Sequence, residues 1–134
     1  GAVGIECRND NPELISLLQS LVCPVTSIRV LAERAMNAKL QGGCQVPIGS
    51  FATLTDNVLT LSGLVAKVDG SSVLKSEASI VLDLDLQNLP SPSNALAQSC
   101  LEDAYQAAQK LGKQIADDLL SQGAAEILAQ VEIN

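Results

Sequence analysis

Apolar residues recur along this chain with two different periods, and the changes of period divide it into helices and strands. From Leu14 to Val22 the apolar residues have helical spacing, which predicts an amphipathic helix. Asp10 or Asn11 is placed to cap this helix, and Pro12 suits its first position. The apolar stripe is wide, so we expect the helix to pack against another apolar surface.

The segments on either side of that helix carry weaker signals. Val3 to Cys7 is rich in apolar residues and predicts a short strand. Pro24 prevents the first helix from continuing. Ser27 is a suitable cap for a second helix, which the spacing of apolar residues extends to about Leu40.

Beyond the second helix the period changes to two, which is typical of strands. Residues 46–55 and 58–68 flank the pair Asp56-Asn57, which tolerates positive φ in a two-residue hairpin turn. A second turn at residues 69–72 precedes a third segment of alternating residues. The sequence therefore predicts a three-stranded antiparallel meander.

The last part of the chain returns to helical spacing. Ala95 to Ser121 is the longest helical pattern, Gly123 stands where a left-handed residue ends a helix, and residues 124–131 form a final short helix. Gly112 weakens the long helix by about 1 kcal/mol relative to Ala, so we expect a close packing contact or a bend there. The order helix, three strands, helix predicts an α+β fold, with a three-stranded antiparallel sheet and its helices on one face.

Composition and charge exclude several classes of function. A chain of 134 residues with 47% hydrophobic content can bury a core. A net charge of −7 argues against a nucleic-acid partner, because binding to phosphates requires clustered Lys and Arg. The aromatic residues Phe51 and Tyr105 offer no platform for stacking bases. No apolar run approaches the roughly 18 residues of a membrane span, so we expect no membrane partner.

The four cysteines are irregularly spaced, and the chain has no His. Zinc sites usually have paired spacing such as Cys-x-x-Cys, so we expect no metal site. An apolar core does not need disulfides, and we expect reduced thiols. The absence of His also removes the usual imidazole base of a Ser or Cys hydrolase from this sequence.

Cys44 is the best candidate for chemistry, because it lies on a glycine-rich stretch between a predicted helix and a predicted strand. Gly42 and Gly43 allow the backbone to turn sharply and a bulky group to approach the sulfur. Pro47 stiffens the exit from this stretch. Spacing alone favours the alternative that Cys44 is a small buried hydrophobic residue, as free cysteines usually are.

Glu33 and Arg34 are the charged pair of the second predicted helix. They are adjacent in sequence and therefore lie about 100° apart around the helix, so they need not pair with each other. Their spacing alone places both on a solvated face.

Two stretches of the sequence resemble the cofactor-attachment region of the porphobilinogen deaminase family, also called hydroxymethylbilane synthase. They are AERAMN at residues 32–37 and LQGGCQVPIG at residues 40–49. Residues 1–8, GAVGIECR, are similar to the segment upstream of this region in the family, and residues 111–128 are similar to its C-terminal helices. The resemblance thus spans nearly the whole chain in order.

This resemblance implies an enzyme of tetrapyrrole and heme biosynthesis that condenses four porphobilinogen molecules into hydroxymethylbilane and releases ammonia. It implies that Cys44 carries a dipyrromethane cofactor through a thioether, with room for the growing polypyrrole provided by Gly42 and Gly43. Arg34 is implied as a support for a domain interface or for the negatively charged pyrrole chain, with a structural ion pair as its alternative. No catalytic residue of the family falls within this sequence, since its catalytic aspartate and most of its substrate-binding arginines lie elsewhere in the parent protein.

The resemblance also implies a domain organisation. Residues 1–24 correspond to a strand and helix of the parent's N-terminal domain, and residues 25–134 to its C-terminal, cofactor-carrying domain, whose fold resembles that of double-stranded RNA-binding domains. Because the chain begins with Gly1 rather than Met, we expect a piece of a longer protein that is inactive without the N-terminal and central domains. We expect the parent to be a cytoplasmic monomer, or an organellar protein of plastid type if it carries a transit peptide.

Two other interpretations stay open. The first is an RNA-binding module, which the fold suggests and the acidic charge opposes. The second is a non-catalytic interaction module that uses the uncovered face of the sheet. The loop at residues 87–97 is longer than in compact members of the family, and no role can be assigned to it.

Overall fold

The computed structural model describes residues 1–40, 47–84 and 95–132 and confirms the predicted α+β fold. Its elements, in chain order, are α1 (Pro12–Leu18) followed by a 3₁₀ turn (Gln19–Leu21), α2 (Pro24–Lys39), β1 (Ile48–Thr55), β2 (Val58–Ala66), β3 (Val73–Val81), α3 (Ala95–Ser121) and α4 (Ala124–Glu132).

The three strands form one antiparallel sheet in the order β1-β2-β3, so each strand pairs with its neighbour in sequence. Alternate residues point to the covered face, as the period of two requires. Ala52 of β1 lies opposite Leu61 of β2, and both are fully buried. Helices α2 and α3 pack on this face, so the predicted placement of the helices on one side of the sheet is confirmed.

Both predicted turns are present and have the expected conformations. Asp56 and Asn57 adopt φ of 50° and 64°, which are the values of a type I′ hairpin turn. At the second turn Gly70 has a φ of 75°, and the side chain of Asp69 accepts a hydrogen bond of 2.9 Å from the Ser71 N–H. These local signals therefore determine where the meander reverses.

Gly112 is a point of close contact between α3 and α2. A Cβ at this position would lie 2.3 Å from the Ala32 carbonyl oxygen, 2.8 Å from the Ala35 Cβ and 2.9 Å from the Met36 nitrogen. Only a residue without a side chain lets the two backbones approach this closely. Of the two roles predicted for Gly112, the structure therefore shows the packing contact.

Two predictions about the N-terminal part are wrong. Val3 to Cys7 is not a strand, because a strand requires a hydrogen-bonded neighbour and none of the three strands pairs with this exposed segment. Helix α2 begins at Pro24 rather than at a Ser27 cap. Proline lacks the N–H that the first helical position leaves unbonded, so Pro24 starts this helix as well as ending the one before it.

Helix α1 begins as predicted, but its apolar side is not covered by the described residues. The side chain of Asn11 caps the helix by accepting a hydrogen bond of 3.1 Å from the Leu14 N–H. Leu17 and Leu21 are 70% and 67% exposed, and no residue of α1 is buried. The described residues therefore do not supply the expected packing partner of this helix.

Within the described ranges, no single helix is long and apolar enough to cross a membrane. One bent pair in the described part of the chain, Pro12–Leu21 with Pro24–Lys39, meets the requirements of length and composition, and its two helices meet at 106°.

Candidate functional site

The candidate attachment cysteine lies on the connection between α2 and β1. Cys44, Gly42 and Gly43 are outside the described residues, so their predicted roles stay predictions. The structure does describe both ends of this connection, hereafter the connector, which comprises residues 41–46.

The two ends of the connector are held by backbone hydrogen bonds and by burial. At the entry, Leu40 is buried and its N–H donates a bond of 3.1 Å to the Met36 carbonyl. At the exit, the carbonyl of Pro47 accepts a bond of 3.0 Å from the Ala66 N–H at the end of β2. The connector thus starts and finishes at points fixed by the core and the sheet.

Glu33 ties α2 directly to β1. Its Oε2 accepts a hydrogen bond of 2.9 Å from the backbone N–H of Ala52, which is 19 residues away in sequence. The prediction that Glu33 lies on a solvated face is therefore wrong, because the side chain is half-buried and serves as an acceptor for the sheet. The sequence analysis did not predict this role. The donor is a backbone N–H, and no pattern of side chains indicates which backbone group Glu33 will contact.

A polar strip, consisting of Arg29, Glu33 and Asn37, runs along α2 beside its buried stripe. These residues are spaced four apart and all are half-buried, so they share one helical face. The Arg29 Nε and the Asn37 Oδ1 are buried without a hydrogen-bond partner among the described residues. The recurrence of polar residues at intervals of four next to Ile28, Ala32 and Met36 is the sequence signal by which this strip could have been found.

Arg34 lies on the opposite flank of the buried stripe, in a shallow groove between α2 and α3. The groove is lined by Leu31, Arg34, Ala35, Ala38, Lys39, Gln109 and Lys113. Lys39 pairs with Asp117 of α3 at 2.8 Å, whereas Arg34 forms no ion pair with a carboxylate of the described residues. The backbone at Gly4 passes close to this guanidinium, since a Cβ there would lie 3.9 Å from the Arg34 Nη2.

The structure therefore does not bring Arg34 and Glu33 together. They leave α2 on different sides, as their sequence separation requires. Arg34 is exposed and available to a partner or a ligand, and Glu33 belongs to the scaffold.

The uncovered face of the sheet combines polar pairs with exposed apolar side chains. The Ser62 hydroxyl donates a bond of 2.6 Å to the Glu77 carboxylate across β2 and β3, and the hydroxyls of Thr60 and Ser79 are 2.8 Å apart. The same face also exposes apolar side chains, namely Phe51 (64%), Val81 (78%), Val73 (47%) and Leu64 (38%). The hydroxyl and carboxylate pairs suit contact with water.

Cys23 is the described cysteine with an altered acidity. It is the N-cap residue of α2, and the Thr26 hydroxyl donates a hydrogen bond of 3.3 Å to its Sγ. That hydrogen bond lowers the pKa of the exposed Cys23 thiol, assisted by the charge of Arg29. Cys7 and Cys100 are also free and exposed.

The described residues contain no group of three or more His, Cys, Asp or Glu side chains that could hold a metal ion.

The sequence of this chain matches one known protein family over most of its length. Residues 27–121 match the family model described as porphobilinogen deaminase, C-terminal domain. The matched range includes α2 from residue 27 onward, the connector, the whole sheet and α3.

Proposed function

This chain belongs to the porphobilinogen deaminase C-terminal domain family, and on that premise we propose that it is the C-terminal part of a transferase that makes hydroxymethylbilane. The parent enzyme condenses four porphobilinogen molecules and releases ammonia. Its central and N-terminal domains supply the catalytic aspartate and most of the groups that bind the substrate carboxylates.

The role of this domain is to carry the growing polypyrrole on Cys44. A thiolate is a soft nucleophile and forms a lasting bond with an electrophilic methylene carbon. In the attachment step the thiol loses its proton, a carbon–sulfur bond forms, the carbon–nitrogen bond of the aminomethyl group breaks, and ammonia leaves with the proton. The dipyrromethane held in this way supplies a primer to which further pyrroles are added.

The observation that carries this proposal is the family match on both sides of Cys44. The match extends from α2 through the connector into the sheet, so it supports the assignment of the connector as the attachment region. The fixed ends of the connector, at Leu40 and Pro47, also suit a tether whose attachment point must stay in register with a distant catalytic site.

The arrangement of arginines supports the expectation that this chain is inactive by itself. Carboxylates are bound best by converging guanidinium groups. Here Arg8 pairs with Asp10 at 2.6 Å, Arg29 is half-buried on the polar strip of α2, and Arg34 lies in the α2–α3 groove. The three arginines therefore do not converge, and substrate binding requires the rest of the parent enzyme.

The proposal is tested by the intact mass and peptide map of the complete parent protein. We expect an adduct with the mass of a dipyrromethane on the Cys44 peptide, absent from Cys44→Ala and retained in the matched control Cys23→Ala. The chain alone, incubated with porphobilinogen, should form no hydroxymethylbilane.

An unmodified and inactive parent protein would contradict the attachment role and would favour a non-catalytic interaction module. An adduct that persists in Cys44→Ala would transfer the role to another cysteine.

A further inference from the structure

We propose that the outer edge of β3 is a pairing surface for a second copy of this chain, and that Gln122 keeps this edge closed. The outer edge consists of the backbone groups of β3 that point away from β2. A second copy pairs there by laying its own β3 antiparallel to the first, which joins the two sheets into one. Such pairing is independent of the attachment chemistry and goes beyond it.

The backbone groups along β3 alternate in direction. The Ser72 carbonyl accepts a hydrogen bond of 2.9 Å from the Lys67 N–H at the start of the strand. At its end, the Leu82 N–H donates a bond of 2.7 Å to the Asn57 carbonyl. Even-numbered residues therefore point toward β2, and the odd-numbered residues from Val73 to Ser79 point their N–H and C=O groups to the outer edge. In the described sheet β3 pairs with β2 only, so this edge can accept a further strand.

One of the outward groups is bound by Gln122, which directly follows α3. Its Nε2 donates hydrogen bonds of 3.0 Å to the Lys75 carbonyl and of 3.0 Å to the Asp118 carboxylate. An incoming strand has to place one of its own N–H groups where this amide lies. The opposite edge of the sheet is closed in a similar way, since Glu33 accepts the outward N–H of Ala52. Side chains of the helical layer thus cap both edges of the sheet, as proteins do to avoid unwanted strand pairing.

The charges of β3 favour its own copy as the partner, in one register. A symmetric dimer places the same strand on both sides of a two-fold axis. With the axis at Ser76, Lys75 lies opposite Glu77 of the second copy, and the pair is repeated across the axis. Opposite charges directly across a pair of strands are stabilising and like charges are destabilising. Moving the axis by one residue, to Lys75 or to Glu77, sets like charges against each other, so the register at Ser76 is preferred to its two neighbours.

The same register also brings apolar side chains together on the covered side of the strand. Leu74 and Ala78 are half-buried and pack against the edge of the core. With the axis at Ser76, Leu74 lies opposite Ala78 of the second copy. The paired segment runs from Val73 to Ser79 in both chains. A contact between two strand edges buries little surface and is weak by itself, so the two Gln122 caps are enough to suppress it.

The experiment uses the complete parent protein and a series of variants. Gln122→Ala removes the cap. Two further variants combine it with Lys75→Glu alone, or with Lys75→Glu and Glu77→Lys together. Gln114→Ala, at an exposed position of α3, is the matched control for the loss of a glutamine side chain. Sedimentation velocity at about 1–100 µM measures the dissociation constant of the dimer, and hydrogen exchange measures whether the outward amides of Glu77 and Ser79 are covered.

We expect the wild type and Gln114→Ala to be monomeric over this range. Gln122→Ala should dimerise at least about tenfold more tightly than the wild type, because each dimer has to displace two caps. In that dimer the amides of Glu77 and Ser79 should exchange several-fold more slowly. Adding Lys75→Glu should abolish the dimer, because it sets Glu against Glu, and adding Glu77→Lys as well should restore it.

A Gln122→Ala variant that is as monomeric as Gln114→Ala would refute the pairing surface. A dimer that survives Lys75→Glu, or that leaves the exchange of Glu77 and Ser79 unchanged, uses a different surface and also overturns the proposal. A wild type that already pairs through β3 would show that Gln122 does not close the edge. Should Gln122→Ala fail to fold, Gln122→Glu replaces it, since this variant also lacks the amide donor and sets a carboxylate against the Lys75 carbonyl.

Discussion

At the scale of single residues, Cys23 shows how a helix start changes the chemistry of a thiol. It stands immediately before Pro24 at the first turn of α2, and the Thr26 hydroxyl donates to its sulfur. This contact lowers the pKa of the Cys23 thiol, so more of it is thiolate at neutral pH.

We expect Thr26→Val to slow the alkylation of Cys23 at neutral pH. Loss of the hydroxyl raises the pKa toward its ordinary value, which lowers the thiolate fraction and reduces the rate. The pH dependence of alkylation, followed on the Cys23 peptide by mass spectrometry, should show a midpoint shifted to higher pH. Thr53→Val, an exposed position on β1, is the control, and an unchanged midpoint in Thr26→Val would contradict the assigned cause.

At the scale of elements, the residue at the crossing of α2 and α3 determines how closely these two helices approach each other. Gly112 is buried at this crossing and places α3 against the backbone of α2 at Ala32. The atoms that a side chain would meet include a carbonyl oxygen and a backbone nitrogen, and these cannot move aside as a flexible side chain could. The crossing is therefore specific for glycine.

Gly112→Ala should destabilise the domain, although Ala is the better helix former by about 1 kcal/mol. Because the helices must separate, we expect a net loss of about 1–3 kcal/mol. Urea unfolding followed by circular dichroism measures it. Gln114→Ala, at an exposed position two residues along α3, is the matched control and should be neutral or slightly stabilising; equal stability of both variants would show that the helices can adjust.

The elements also show which parts of the structure sequence patterns can predict. The hairpin at Asp56 and Asn57 was predictable because positive φ is a property of those residues themselves. The false strand at Val3 to Cys7 had the composition of a strand, but its pairing partner is not a local property. The bond between Glu33 and Ala52 was unpredictable for the same reason, since it depends on which strand edge faces the helix.

At the scale of the whole molecule, the distribution of charge opposes the interpretation of this domain as an RNA-binding module. The net charge is −7, and positive groups gather only locally, at Arg34, Lys39 and Lys113 in the α2–α3 groove. One of these, Lys39, is already paired with Asp117. A small, partly neutralised patch on an acidic molecule cannot displace many counterions from a duplex.

We therefore expect no binding of a fluorescent 20-base-pair RNA duplex in about 20 mM salt, even at protein concentrations of roughly 100 µM, where non-specific binders are saturated. Fluorescence anisotropy is the measurement, and a basic RNA-binding domain at the same concentrations is the positive control. Binding that weakened steeply with added salt would restore the RNA-binding interpretation.

The order of the elements has a consequence for how the domain is made in the cell. All strand pairings join neighbours in sequence, but the covered face of β2 receives α3 only after the chain has continued to Ser121. At typical translation rates the ribosome needs roughly 3 to 11 s to add the residues between Val65 and Ser121. During that interval Leu59, Leu61 and Val65, all fully buried in the finished domain, lack most of their cover. We therefore expect chaperones to bind the nascent meander, and we expect this binding to end once α3 has emerged and covers the sheet.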